Sequence, residues 1–100
     1  MARTLRYHPL FESDVLNAAG WYDQSGHELG ADFINRVHSA VEHLILGPEL
    51  QPILEIGLRY WSVDRFPFVI FYKVTEYELL IVGVMHTSRD SSKWLVDRTL

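Results

Sequence analysis

Apolar positions along the chain fall into three regimes. Thr4-Leu5-Arg6-Tyr7-His8 alternates polar and apolar side chains, the period of a half-buried strand, and Pro9 ends it. From Leu10 the period lengthens. Phe11, Val15, Ala18 or Ala19, and Tyr22 recur at helical spacing. Gly20 lies within that helix at a cost of about 1 kcal/mol relative to Ala. It either permits a neighbour's close approach or is simply tolerated. Gln24-Ser25-Gly26 ends the first helix, and Ser25 stands three residues before Glu28, the spacing of a capping box for a second one. Leu29, Phe33, Val37, Ala40 or Val41, and Leu44 make a second stripe, which Gly47-Pro48 stops. Two helices with so short a join predict an antiparallel hairpin.

The third regime is extended. Residues 49–57 are irregular around Pro52, Leu58 to Val63 reads as a strand, and Asp64 begins a turn. Phe66 to Val74 and Leu79 to His86 are β-branched and aromatic, two strands of a hairpin joined through Thr75-Glu76-Tyr77-Glu78. Ser91-Ser92 is placed to cap a last helical turn containing Trp94 and Leu95. Strict alternation puts Phe68, Ile70, Tyr72 and Val74 on one face, and Val69 and Phe71 on the other. It sets Leu79, Ile81 and Met85 opposite Leu80, Val82 and Val84. Strands apolar on both faces need cover on both faces. The helical hairpin covers one. The tail around Trp94, a second copy of the chain, or a different protein must cover the other.

Composition narrows the setting. One hundred residues predict one domain, 1–100, with enough chain for a core. No cysteine is present, so disulfides and thiolate metal sites are excluded. No apolar run approaches the ~20 residues that span a bilayer, and a cytoplasmic protein without membrane contact is expected. Net charge is −4, but residues 1–56 carry −5 and residues 57–100 carry +1. An overall acidic chain is poorly suited to binding nucleic-acid phosphates. His27, His38 and His43 lack metal-ligand spacing, and no phosphate-cradling Gly-rich loop or nucleophile elbow occurs. No metal or cofactor is expected.

Several segments in this order carry a resemblance. They are Tyr7-His8-Pro9 leading to Asp14 and Trp21-Tyr22; Leu29-Gly30-Ala31-Asp32-Phe33; and Gly47-Pro48. Arg65-Phe66-Pro67-Phe68-Val69-Ile70-Phe71-Tyr72 follows, then Val84-Met85-His86-Thr87-Ser88-Arg89-Asp90 with Trp94 and Arg98. Together they resemble the RelE/ParE toxin superfamily, in particular its ParE-like, plasmid-stabilisation branch. Ser91 departs from it, where that family often has Pro. The resemblance implies a two-layer α+β fold: an N-terminal strand, a helical hairpin, an antiparallel meander with strand order 1-4-3-2, and a short helical tail. It also implies the toxin of a type II toxin–antitoxin pair, with a cognate antitoxin as partner.

Within that superfamily the targets differ. A ParE-like chain inhibits DNA gyrase without cutting nucleic acid. A RelE-like chain cleaves mRNA on the ribosome, and a non-toxic binding module on the same fold is a third alternative. A metal-free RNase needs a base, a cation for the phosphorane charge, and an acid. The candidates are His86 as acid or base, Arg65 and Arg89 as phosphate clamps, and Tyr72. Each has a plainer role: Arg65 paired with Asp64, Tyr72 packed in a core, His86 hydrogen-bonded at a strand end, and Arg89 paired with Asp90 in a turn. Only two lysines exist, Lys73 and Lys93, and the acidic balance favours the gyrase alternative, with ribosome and mRNA less favoured. Candidate contacts to target or antitoxin are Arg59, Trp61, Arg65, Phe71, Lys73, His86, Arg89, Trp94 and Arg98. A homodimer is also compatible.

Overall fold

The computed structural model describes residues 3–54 and 56–99. A first strand β1 (Thr4–Tyr7) leads through a turn at Pro9 into helices α1 (Phe11–Ser25) and α2 (Leu29–Leu46). Strands β2 (Arg59–Ser62), β3 (Phe68–Val74) and β4 (Glu78–His86) follow, and α3 (Ser92–Thr99) closes the fold. The sheet order is β1-β4-β3-β2. β1 runs parallel to β4, and the other pairs are antiparallel. This is the two-layer α+β arrangement that the resemblance implies, with the tail a full two-turn helix.

The helical hairpin packs on one face of the sheet. Phe33, Val37 and Leu44 of α2 and Ile70, Tyr72 and Ile81 of the strands are fully buried there. An aromatic cluster fixes one end of this layer. Phe33 lies 5.5 Å from Tyr22, 5.2 Å from Phe66 and 4.9 Å from Phe68, between ring centroids. The two phenylalanines around Pro67 are partly buried and pack against that core, seating the β2–β3 turn on the helices. Arg36 reinforces this seat from α2 by pairing with Asp64 at 3.0 Å, so Asp64 is not the partner of Arg65.

The join between the helices differs from the expected capping box. α1 continues through Ser25, and Glu28 precedes α2 in a left-handed conformation (φ 64°) with no side-chain cap. Asp23 replaces the cap. Its carboxylate accepts the Gly30 N–H at 2.9 Å, taking one of the unpaired donors of the first turn of α2. A Cβ on Gly30 would strike that carboxylate and the Ala19 carbonyl, so glycine is needed where the hairpin arms meet. Gly20 meets nothing within 4 Å. It is tolerated, not required. Gly20→Ala is therefore expected to stabilise the protein by about 1 kcal/mol in urea unfolding, with an unchanged slope.

The second face of the sheet has its own core. Leu58, Phe71, Val82 and Met85 pack with Leu95 of α3, and Trp94 lies against this cluster. The chain's own tail and the segment before β2 thus shield that face. A covering partner is not required to explain the two-sided strands. The assignment of Met85 and Val84 is also reversed from strict alternation: Val84 joins the helix-side core and Met85 the tail-side core. The cause is a bulge. Phe71 pairs with Gly83 but Tyr72 pairs with Ile81, so Val82 is an extra residue in β4 and the pleat beyond it is inverted.

Candidate functional site

The bulge lies where β1 stops. β1 accompanies β4 from Glu78 to Ile81 and then turns away at His8, whose N–H reaches the Ile81 carbonyl at 2.8 Å. Beyond Ile81 that edge of β4 has no neighbouring strand among the described residues. Two side chains from opposite layers take up its backbone groups. Asp14 of α1 accepts the Val84 N–H at 3.1 Å, and Arg98 of α3 donates to the Val82 carbonyl at 3.1 Å. The two side chains also bond each other in a bidentate pair, at 2.6 and 2.8 Å, with side-chain exposures of only 13% and 9%. The Trp94 ring stacks 4.4 Å from the Arg98 guanidinium carbon. This clasp crosses over Gly83. A Cβ there would stand 2.5–2.7 Å from Arg98, Trp94 and Asp14 at once. Glycine at the bulge is what lets the pair close.

Past the clasp the edge opens into a cleft of about 650 Å³, between α1 and the β4–α3 loop. Asn17, Ala18 and the largely exposed Trp21 form one wall, and Arg89 and Trp94 the other. His86 ends β4 within it. Its ring packs edge-on to Phe68 at 5.1 Å, and its Nδ1 accepts the Ser88 N–H at 3.0 Å and contacts Ser88 Oγ at 2.7 Å. An Nδ1 that accepts leaves the proton of the neutral ring on Nε2. Asp90 binds the Ser92 N–H and hydroxyl at the start of α3, which holds its carboxyl below the usual range. It is thereby occupied with the tail helix and not with Arg89, and no described ion pair involves Arg65 or Arg89.

His86 and Arg89 are therefore brought together in one cleft, whereas Arg65 is not among the residues that line it; the Thr87 N–H donates to the Pro67 carbonyl at 2.8 Å and pins the two loops together. Arg65 is exposed and adopts a left-handed backbone (φ 69°). Tyr72 does not join them. It faces the helix-side core, and its hydroxyl donates to the Pro48 carbonyl at 2.8 Å. Burial raises its pKa, and nearby Arg59 only partly opposes this. It lies four positions along β3 from Phe68, the partner of His86, a distance of about 13 Å along the strand.

The remaining candidates divide by environment. Phe71 is buried beneath the tail, and Trp94 and Arg98 belong to the clasp. Trp61 packs against the helix-side core from β2. Arg59 donates to the carbonyls of Glu49 and Gln51, at 3.0 and 2.7 Å, and orders the loop before β2. Lys73 is exposed on the tail side, in a groove with Arg6 and Glu78. Asp14 was missed as a site residue. It appears only as part of a family segment, since one sequence contains no sign of its partner 84 positions away. No group of metal ligands is assembled among the described residues, and none of their helices is long and apolar enough to cross a membrane.

Residues 5–91 match the family model described as the ParE toxin of type II toxin–antitoxin systems, parDE. The chain belongs to the ParE toxin family. No curated protein sequence matches it. Among solved structures, this ParE-family chain is similar to one described as the chromosomal ParDE toxin–antitoxin system from P. aeruginosa. The TM-score is 0.72 at 18% identity, over 84% of this chain and 95% of that one. At that identity the likeness supports the fold. Phe66 and Phe68 of the Arg-Phe-Pro-aromatic strand and Trp94 and Arg98 of the ending take structural tasks in this ParE-family fold: seating the β2–β3 turn and clasping the open edge of β4.

Proposed function

We propose that this chain is a toxin that inhibits DNA gyrase without cutting nucleic acid, and that a cognate antitoxin holds it inactive. The observation that carries the non-nuclease part is the dispersal of the RNase quartet. Tyr72 is locked in the core with its hydroxyl committed to Pro48, so no second proton donor stands beside His86 from that set. The antitoxin part is supported by an exposed apolar run: Leu46 is 85% exposed, Leu50 79% and Ile53 61%. This run leads into β2, whose outer edge has no strand partner among the described residues. Apolar surface beside an open strand edge is a liability that a wrapping partner relieves. Purified protein is expected to block supercoiling of relaxed plasmid by gyrase, and adding the antitoxin should restore it. Normal supercoiling at saturating protein sinks the gyrase assignment.

The ribosome-dependent endoribonuclease remains as a second reading on one observation: His86 and Arg89 line a single cleft. The same preparation in a translating extract separates the two. Cleavage of labelled mRNA that disappears in His86→Ala would replace the gyrase reading with this one.

A further inference from the structure

At the β2 margin of the sheet, hydrogen bonding fixes which backbone groups face outward. The Val63 N–H donates to the Phe68 carbonyl at 2.9 Å, so Val63 directs its groups toward β3. Alternation along the antiparallel ladder gives Arg59 and Trp61 the same direction and turns Leu58, Tyr60 and Ser62 to the outer edge. The Leu58 carbonyl agrees, since it accepts the Leu54 N–H at 2.7 Å from the segment before β2. That segment closes the edge at Leu58, and the chain turns away from it at Asp64. Between these limits the N–H and C=O of Tyr60 and of Ser62 have no backbone partner among the described residues.

We propose that a second copy of this chain pairs with β2, antiparallel, about a two-fold axis at Trp61. In that register Tyr60 faces the partner's Ser62, and Ser62 the partner's Tyr60. Both are hydrogen-bonded pairs, so four bonds use every open group of the two edges. An axis at Tyr60 would set Ser62 against a Leu58 carbonyl that is already taken. An axis at Ser62 would set Tyr60 against Asp64, where the chain has left the strand. The ends also match. Leu58 stands opposite the partner's Asp64, so the loop of one chain lies where the other turns away. Charge completes the fit. Arg59 donates to two carbonyls and is in no described ion pair. Asp32, Arg36 and Asp64 form a linked group of net charge −1, with bonds of 3.5 and 3.0 Å. The register puts Arg59 opposite the partner's Val63, beside that acidic group, and the two-fold repeats the match. Trp61, half-buried on the helix side, meets its own counterpart at a non-hydrogen-bonded site, where side chains approach closest. A strand this short makes a small interface, under about 1,200 Å², and the association is reversible in the micromolar to millimolar range. The toxin reading above gives this surface to the antitoxin; the dimer belongs to the chain without it and does not rest on that reading.

The test uses the full chain alone, isotope-labelled for amide NMR, across that concentration range. Sedimentation equilibrium should show a mass that rises toward twice that of the chain. Hydrogen exchange should slow at the Tyr60 and Ser62 amides by at least about tenfold at the highest concentration. The Arg59 and Trp61 amides, already bonded to β3, should change little. Ser62→Pro removes two of the four bonds while leaving the ladder to β3 intact, because the lost N–H faces outward. It should raise the dissociation constant at least about tenfold. Asp64→Asn should raise it about threefold at low salt and hardly at all at high salt. A chain that stays monomeric throughout overturns the proposal and leaves the edge to another partner, the antitoxin included. A dimer whose protected amides lie on β1, or one that Ser62→Pro forms as readily, overturns it too. If the proline variant fails to fold, the exchange pattern of the parent chain decides.

Discussion

Arg98→Met is expected to lower stability by about 3–5 kcal/mol, a large share of what a domain of this size has in total. The expected fall in Tm is more than about 10 °C. The reason is the state of Asp14 once its partner is gone. Its side chain is 13% exposed, and its oxygens would retain only the Val84 N–H. A nearly buried carboxylate with one hydrogen bond is poorly solvated, and relieving it means opening α1 away from the sheet. The Val82 carbonyl loses its donor in the same step, and Trp94 loses the cation it stacks on. Methionine preserves most of the apolar stem, so the loss reports the charge and not the packing. The double variant Asp14→Leu with Arg98→Met removes both charges. It should recover more than half of the loss, and a remainder of roughly 1–3 kcal/mol should reflect the Val84 N–H left without an acceptor. Urea unfolding of the three variants measures this. A single variant within about 1 kcal/mol of the parent would show the pair to be solvated and dispensable.

The clasp also marks where the sequence stops being legible. Element order, the helical hairpin and the 1-4-3-2 sheet follow from local periods and from a family resemblance that spans most of the chain. Both are carried by residues close together in sequence or in a fixed order. Which residues pair across 84 positions is not a local property, and Asp14 looks like any acidic residue in a first helical turn. The bulge is hidden for a related reason. Period-two reading assumes an uninterrupted ladder, and nothing in Ile81-Val82-Gly83-Val84 announces the extra residue except the glycine. Face assignments up to Val82 were therefore sound, and those of Val84 and Met85 were reversed. The capping box failed because Asp23, one turn inside α1, reached Gly30 first in space.

The candidate site was legible in part for the same physical reason. His86 and Arg89 are three residues apart, so a single turn brings them to one cleft. Tyr72 was already grouped with Ile70 by alternation, which places it on the helix-side face. Its partner at Pro48 depends on how the α2–β2 connection folds back, and that connection has no period to read.

Phe33→Ala is expected to destabilise by about 3–5 kcal/mol, for a reason independent of charge. Phe33 has no exposed surface and touches Tyr22, Phe66 and Phe68 with centroid separations of 5.5, 5.2 and 4.9 Å. These rings come from α1, from the β2–β3 turn and from the start of β3, so one truncation unsettles three elements. They are also stiff and mutually edge-packed, which limits collapse into the space and keeps the cavity term large. Arg36, one helical turn on, anchors the same turn through Asp64, but that pair is partly exposed and offsets little. The functional consequence separates two meanings of the Phe-Pro-Phe segment. If the segment acts through the core, Phe33→Ala should abolish toxicity in cells by lowering the folded population, and growth arrest should return when the variant is expressed at reduced temperature. If Phe66 and Phe68 instead met the target directly, a Phe33 variant that is folded at the lower temperature would remain harmless. Circular dichroism of the purified variant, read beside the growth assay at both temperatures, decides between them.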